Sequence, residues 1–168
     1  MIFMDIFLCP CVFGLTRSYY FTHLAETENY FSSALRMSSA QMQLWTHYDV
    51  MDNILCHLHG RKRVLLWCPE DARYMYLEGS SSRVLDVDNP DLEQYPLFPL
   101  AQQHECYLNP GDVLFIPALW LHNVTALQPS LSVNVFWKNL PHQLYANHDL
   151  YGNRDLVVAE QVPNPLTF

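Results

Sequence analysis

Glycine is scarce in this chain: five in 168 residues, against 11 prolines. With aromatics at 14%, that balance favours strands and tight turns over long helices. Basic residues are also few. Nine Lys and Arg face 17 Asp and Glu, a net charge of −8. Affinity for nucleic acid comes largely from phosphate neutralisation, so the charge argues against an unaided electrostatic grip. A local basic patch, or docking through a partner, is left open. Cysteine lacks a pattern: Cys9, Cys11, Cys56, Cys68 and Cys106 are odd in number and show no repeated spacing. That argues against a disulfide framework or a zinc knuckle and for a reduced, intracellular protein of cytoplasm or nucleus. A long apolar run is missing as well. Residues 1–15 are apolar, but Asp5 interrupts them and no basic residue precedes them. They are too short to span a bilayer and read as a buried strand or a disordered start, with no membrane association expected.

What is present is short and alternating. Strands are expected over residues 41–50, 53–58, 61–67, 104–108, 113–116 and 131–137, each bounded by turn residues. A short helix is expected within 25–36 and a helix or turn at 70–77. Residues 78–99, rich in Ser, Asp, Asn and Pro, read as a long excursion over the surface. There is no internal repeat and no linker. Residues 1–30 form an N-terminal segment, 31–140 the core and 141–168 an extended tail. The fold class is all-β, a jelly-roll or cupin-like double-stranded β-helix with short helices.

One stretch stands out chemically. His47 and Asp49 lie two residues apart in the strand expected over 41–50. A period of two points Trp45, His47 and Asp49 the same way. A facial non-haem iron site needs two His and one carboxylate, and His122, 75 positions on from His47, is the best third member. A His-x-Asp pair alone is a weak signal, and a strand with two polar groups in water explains it equally well. Context favours the metal reading. Asn109-Pro110-Gly111-Asp112 is a strong turn, and the strand after it ends at Pro117 and leads to Trp120-Leu121-His122. Lys62 falls on the more apolar face of its strand, with Val64 and Leu66, while Arg61 and Arg63 face the other way. Ser132, Asn134 and Phe136 share a face. His57 and His59 form a His-x-His pair, but no third ligand at zinc spacing accompanies them, so they read as a strand edge and turn. Cys56, Cys106, Trp120 and Trp137 read as core.

Taken together, His47-Tyr48-Asp49, Asn53, Gly60-Arg61-Lys62-Arg63, the run from Gly111 to His122 and Val133-Asn134-Val135-Phe136-Trp137 resemble the JmjC-type 2-oxoglutarate oxygenases. The hydroxylase branch, which includes the asparaginyl hydroxylase of hypoxia-inducible factor, is the most similar. The wording of residues 44–53 and 88–92 resembles the wybutosine-synthesizing tRNA hydroxylases within it. The resemblance covers residues 30–155. It implies Fe(II) on His47, Asp49 and His122, with 2-oxoglutarate and O2 as cosubstrates. Lys62 then holds the far carboxylate of the 2-oxo acid, and Asn53 and Asn134 donate hydrogen bonds to it. The implied reaction is oxidative decarboxylation to succinate coupled to hydroxylation. The implied partner is phenylalanine tRNA, at a wybutosine-type hypermodified guanosine. Family members carry a longer N-terminal region and C-terminal helices that support a homodimer, so this chain reads as shortened at both ends. Two alternatives stay open: a protein hydroxylase or demethylase of the same chemistry, and a shortened, inactive variant that binds a partner.

Overall fold

The computed structural model describes residues 6–7 and 29–140. Among these residues the chain forms two β-sheets and two short 3₁₀ helices, Pro69–Tyr74 and Phe98–Leu100. The first sheet holds β1 (Ile6–Phe7), β2 (Tyr30–Ser38), β4 (Asp52–His59), β9 (Val113–Ile116) and β11 (Ser130–Trp137), in the order β1-β9-β4-β11-β2. The second holds β3 (Gln43–His47), β5 (Lys62–Trp67), β6 (Leu77–Glu78), β7 (Ser81–Ser82), β8 (His104–Leu108) and β10 (Leu121–Ala126), in the order β6-β7-β3-β10-β5-β8. All pairings are antiparallel except β1 with β9. From β2 onward the chain passes repeatedly between the two sheets, the winding of a double-stranded β-helix.

The alternation of apolar residues decides which side of each strand is covered. On β5, Val64 and Leu66 face the interior of the sandwich, where they meet Leu55, Leu108, Leu114, Ile116 and Trp120. Leu65 and Trp67 point to the opposite side and pack with Tyr48, Val50, Met75, Val84, Val87, Phe98 and Leu121. From Val64 to Trp67, β5 is therefore buried on both faces, while Trp45 on β3 and Tyr107 on β8 stay exposed. Each fully buried aliphatic side chain contributes about 2 kcal/mol, so these two clusters carry much of the fold.

Three expectations need correction. The helix expected within 25–36 is a strand where the chain is described, because residues 30–38 pair along β11 from Tyr30↔Trp137 to Ser38↔Ser130. Tertiary pairing overrides weak local propensity there. The excursion at 78–99 is more than a surface loop: Val84, Val87 and Phe98 from it are buried against Trp67 and Leu65. Its Ser, Asp and Pro punctuation hides these anchors. Trp45 does not point inward; it is 54% exposed. The tail expected over 141–168, with His142 and His148, lies outside the described residues, as does all but Ile6–Phe7 of the first 28.

Gly60 closes the turn between β4 and β5 at φ +79°, where a Cβ would meet the Pro129 carbonyl oxygen at 2.2 Å. Both the left-handed backbone and the close approach require glycine. Gly60→Ala is expected to destabilise the chain by roughly 2–4 kcal/mol, read from its urea midpoint. A loss within a few tenths of a kcal/mol would overturn this reading of the turn.

Candidate active site

β3 and β10 are neighbours, and His47 pairs directly with His122. The register then slips: Val124 pairs with Leu44, so Trp45 and Thr46 oppose Asn123 alone. This is a β-bulge, which inserts one residue and turns the strand. Because of it, Leu44 and His47, three residues apart, line the same cavity, while Trp45 is turned out. Asn123 holds the bulge from the neighbouring strand. Its carbonyl accepts from Gln43 at 3.2 Å, and its amide donates to Thr46 Oγ1 at 3.2 Å.

The two imidazoles lie 4.3 Å apart, centroid to centroid. His47 Nδ1 is 2.8 Å from the Trp45 carbonyl, and His122 Nδ1 is 3.0 Å from the Trp120 carbonyl. A carbonyl only accepts, so each Nδ1 donates a proton to it and Nε2 is the nitrogen left to bind a metal. Burial pushes His122 down to about 4, with His47 adding to the effect and Asp49 and the Trp120 carbonyl opposing it. His122 is therefore neutral at pH 7, the form that binds metals. Asp49 lies beyond the end of β3, and its Oδ2 is 3.7 Å from His122 Nε2. One ligand atom from each of His47, Asp49 and His122 fits within a 4.8 Å group. Two Nε2 lone pairs and a carboxylate are a suitable donor set for a first-row divalent metal.

The turn that delivers His122 is tied to the segment that delivers Asp49. Leu119 N–H donates to the Asp49 carbonyl at 2.8 Å, and Ala118 N–H donates to Asp52 Oδ1 at 2.8 Å. Leu119 sits at φ +69°, a left-handed conformation that costs a non-glycine residue about 1 kcal/mol and is held here by these two ties.

A cavity of about 270 Å³ leads away from the triad, large enough for a small dicarboxylate. Leu55, Ile116, Val124 and Phe136 supply its apolar wall. Asn53 and Asn134 line it and are joined by a 3.0 Å hydrogen bond from Asn134 Nδ2 to Asn53 Oδ1. Lys62 also lines it, only 4% exposed, with Nζ donating to Ser132 Oγ at 2.7 Å. Burial pushes the Lys62 ammonium down, and Arg36 adds to the effect. No carboxylate pairs with Lys62 among the described residues. Leu35, Arg36, Met37 and Met42 also line the cavity, on its more exposed side.

All six residues singled out in the sequence, His47, Asp49, Asn53, Lys62, His122 and Asn134, line this one cavity. Asn123, Asp52 and Ser132 were missed as supporting residues. Strand parity had put Ser132 on the side of β11 that carries Asn134 without giving it a role, and it also puts His57 on the side of β4 that carries Asn53 and Leu55. The bulge-pinning and turn-tying roles of Asn123 and Asp52 left no local signal. His57, read as belonging to a strand edge and turn, is in fact buried.

The fold and this site place the chain among known proteins: it belongs to the cupin-like domain family, which matches residues 15–143. It is 57% identical over 136 residues to tRNA wybutosine-synthesizing protein 5 of Gallus gallus, covering 81% of this chain and 43% of the relative. It is 53% identical over 141 residues to the protein of the same name from Homo sapiens, covering 84% of this chain and 45% of the relative. The chain thus spans less than half the length of these relatives. The ribosomal oxygenase YcfD of Escherichia coli is a more remote structural likeness, with TM-score 0.49 and 18% identity over 71% of this chain and 27% of that one. Among the described residues, no helix is long and apolar enough to cross a membrane.

Burial lifts Asp52 from 3.8 to about 6, partly offset by hydrogen bonds from Ala118 N–H and the Asn139 side chain. The folded chain then binds this proton more tightly than the unfolded one. The stability it contributes is fully present below about pH 4 and is lost as pH rises through about 6. The interval from 3.8 to about 6 corresponds to about 3 kcal/mol. Asp52→Asn, which keeps the acceptor for Ala118, is expected to gain on the wild type by that amount between pH 4 and pH 7 in urea denaturation. A pH-independent difference between the two would sink the assignment.

Proposed function

We propose that this chain carries the catalytic core of an Fe(II)- and 2-oxoglutarate-dependent hydroxylase, acting on a wybutosine-type hypermodified guanosine of phenylalanine tRNA. One observation carries the class: two Nε2 lone pairs and the Asp49 carboxylate meet at a cavity that also holds a buried lysine without a carboxylate partner. The substrate follows from the identity to relatives named for wybutosine synthesis.

His47, Asp49 and His122 would hold the iron. The cofactor pair supplies activation of O2 and the oxidising power for hydroxylation, the 2-oxo acid leaving as succinate and carbon dioxide. The protein's part is positioning. The Trp45 and Trp120 carbonyls fix the tautomer and ring angle of each histidine. Asn53 and Asn134 offer amide groups to the cosubstrate from the cavity wall. Lys62 takes the far carboxylate as a compact point charge, and that carboxylate offsets both the burial and the neighbouring Arg36. The apolar wall excludes water and strengthens that contact.

The purified protein is expected to form succinate from 2-oxoglutarate only when Fe(II) is supplied. His47→Ala, Asp49→Ala and His122→Ala should each reduce this to background. Lys62→Ala should raise the KM for 2-oxoglutarate by about tenfold to a hundredfold, the loss of a charge-assisted bond. Succinate formation that survives His47→Ala would remove the triad from the chemistry. With phenylalanine tRNA lacking the final hydroxyl, the modified nucleoside is expected to gain the mass of one oxygen. Hydroxylated peptide with untouched tRNA would keep the chemistry and move the substrate to protein.

A further inference from the structure

Behind Lys62 the sandwich contains polar groups that the proposed chemistry does not use. Ser132 is completely buried, and its Oγ accepts from Lys62 Nζ. Directly across the β4–β11 ladder from Ser132 is His57, 1% exposed. Neither of its ring nitrogens has a hydrogen-bond partner among the described residues. An imidazole buried this way is costly, and such groups in a well-packed interior call for an explanation.

The groups around His57 favour its neutral form. Burial is the main cause, and the Lys62 and His59 charges act in the same direction. The Gly60 backbone and Asp112 pull the other way, although Gly60 makes no well-aligned hydrogen bond to the ring. A neutral imidazole has one acceptor nitrogen. Ser132, whose oxygen accepts from Lys62, still has a hydroxyl proton to donate. Residues directly opposite in an antiparallel ladder have Cβ atoms about 5 Å apart, within reach of such a bond after a small side-chain rotation.

We propose that Ser132 and His57 are positioning residues for cosubstrate selection: His57 accepts the Ser132 hydroxyl proton, Ser132 Oγ is thereby fixed as the acceptor for Lys62, and the remaining ammonium N–H groups are aimed at the far carboxylate of a 2-oxo diacid. This rests on the 2-oxoglutarate reading and deepens it. A lysine on a flexible four-carbon stem is a poor gauge of ligand length unless its head is anchored. The buried relay supplies that anchor, so the site discriminates a 2-oxo acid with a far carboxylate from one with a methyl group in its place.

The test is binding, measured by calorimetry on the full chain with Zn(II) supplied in place of iron, so that no turnover occurs. 2-Oxoglutarate is compared with 2-oxovalerate, which has the same carbon chain and ends in a methyl group. Ser132→Ala and His57→Leu are each expected to weaken 2-oxoglutarate by about tenfold, the equivalent of one hydrogen bond to a charged group, and to leave 2-oxovalerate unchanged. Ser132→Thr and His57→Gln, which keep the hydroxyl and an acceptor, should restore selectivity. Equal weakening of both acids would show a merely structural role and overturn the proposal, as would no change in either. Should the variants not fold, the His57 imidazole nitrogen resonances of the wild type decide. They should move on adding 2-oxoglutarate and stay still on adding 2-oxovalerate, and the reverse overturns the relay. Wild-type protein that binds neither acid would overturn the 2-oxoglutarate reading itself, and the relay with it.

Discussion

The pairing of His47 with His122 joins two parts of the chain 75 residues apart, and the rest of the site is arranged around it. A strand pair delivers two side chains to one cavity only if the register is right, because a one-residue slip sends every side chain to the opposite face. Here the register is set beyond the histidines by a bulge at Trp45 and Thr46, and Asn123 ties both sides of that bulge across the strand gap. The third member, Asp49, lies past the strand end, where the Leu119 and Ala118 backbones bind its own segment. No member of the triad is positioned by its immediate neighbours alone. The site forms only when β3 and β10 are paired, so its geometry and the fold's cooperativity are one property.

The interior is divided by chemistry. One part is apolar and dense, with Leu55, Val64, Leu66, Leu114 and Ile116 packed between the sheets. The other holds Asn53, Asn134, Lys62, Ser132 and His57, all buried. Polar groups removed from water lower stability unless they are paired, and a buried ammonium is the most demanding of them. The second apolar cluster offsets this cost. It lies on the far side of the six-stranded sheet, where Trp67, Met75, Val84 and Phe98 are covered by the segment that follows β5. That segment supplies none of the six candidate residues, but its β7 strand pairs Ser81 with His47, and its apolar side chains cover the face of the sheet opposite the polar pocket.

Strand positions were largely legible in the sequence because most strands alternate, and alternation is a property of single residues. β5 is the best example: its two parities, one with Lys62 and one with Arg63, lead to two different buried clusters. His122 was legible because a turn, a short apolar strand and Pro117 announce the segment that carries it. The bulge was not. An inserted residue has no compositional mark, so a strict period of two placed Trp45 inward with His47, whereas it is exposed. β2 was misread as helix because, among the described residues, it is an edge strand and none of its residues is fully buried. An edge that packs against little shows weak periodicity of either kind. His57 was misread for the opposite reason: its residue type suggests exposure, while its parity with Asn53 and Leu55 points to burial, and parity prevailed.

Charge follows the same logic of faces. The chain is acidic overall, yet the sign at any point depends on which side of a strand a residue occupies. Arg63 and Lys62 are adjacent, and their fates differ completely. Arg63 points outward, forms ion pairs with Asp88 at 2.7 Å and with Glu105, and is held more firmly protonated by both. Lys62 points inward and meets a serine hydroxyl instead of a carboxylate. Surface charges separated by more than about 8 Å are largely screened at physiological salt. The acidic excess therefore has little influence on a buried pocket that keeps its own cation. Net charge limits how the whole surface meets an anionic polymer, and it leaves open what a small anion meets inside. The alternation of one strand separates a structural cation from one available for a ligand, and that separation lets an acidic chain keep a pocket suited to a dicarboxylate.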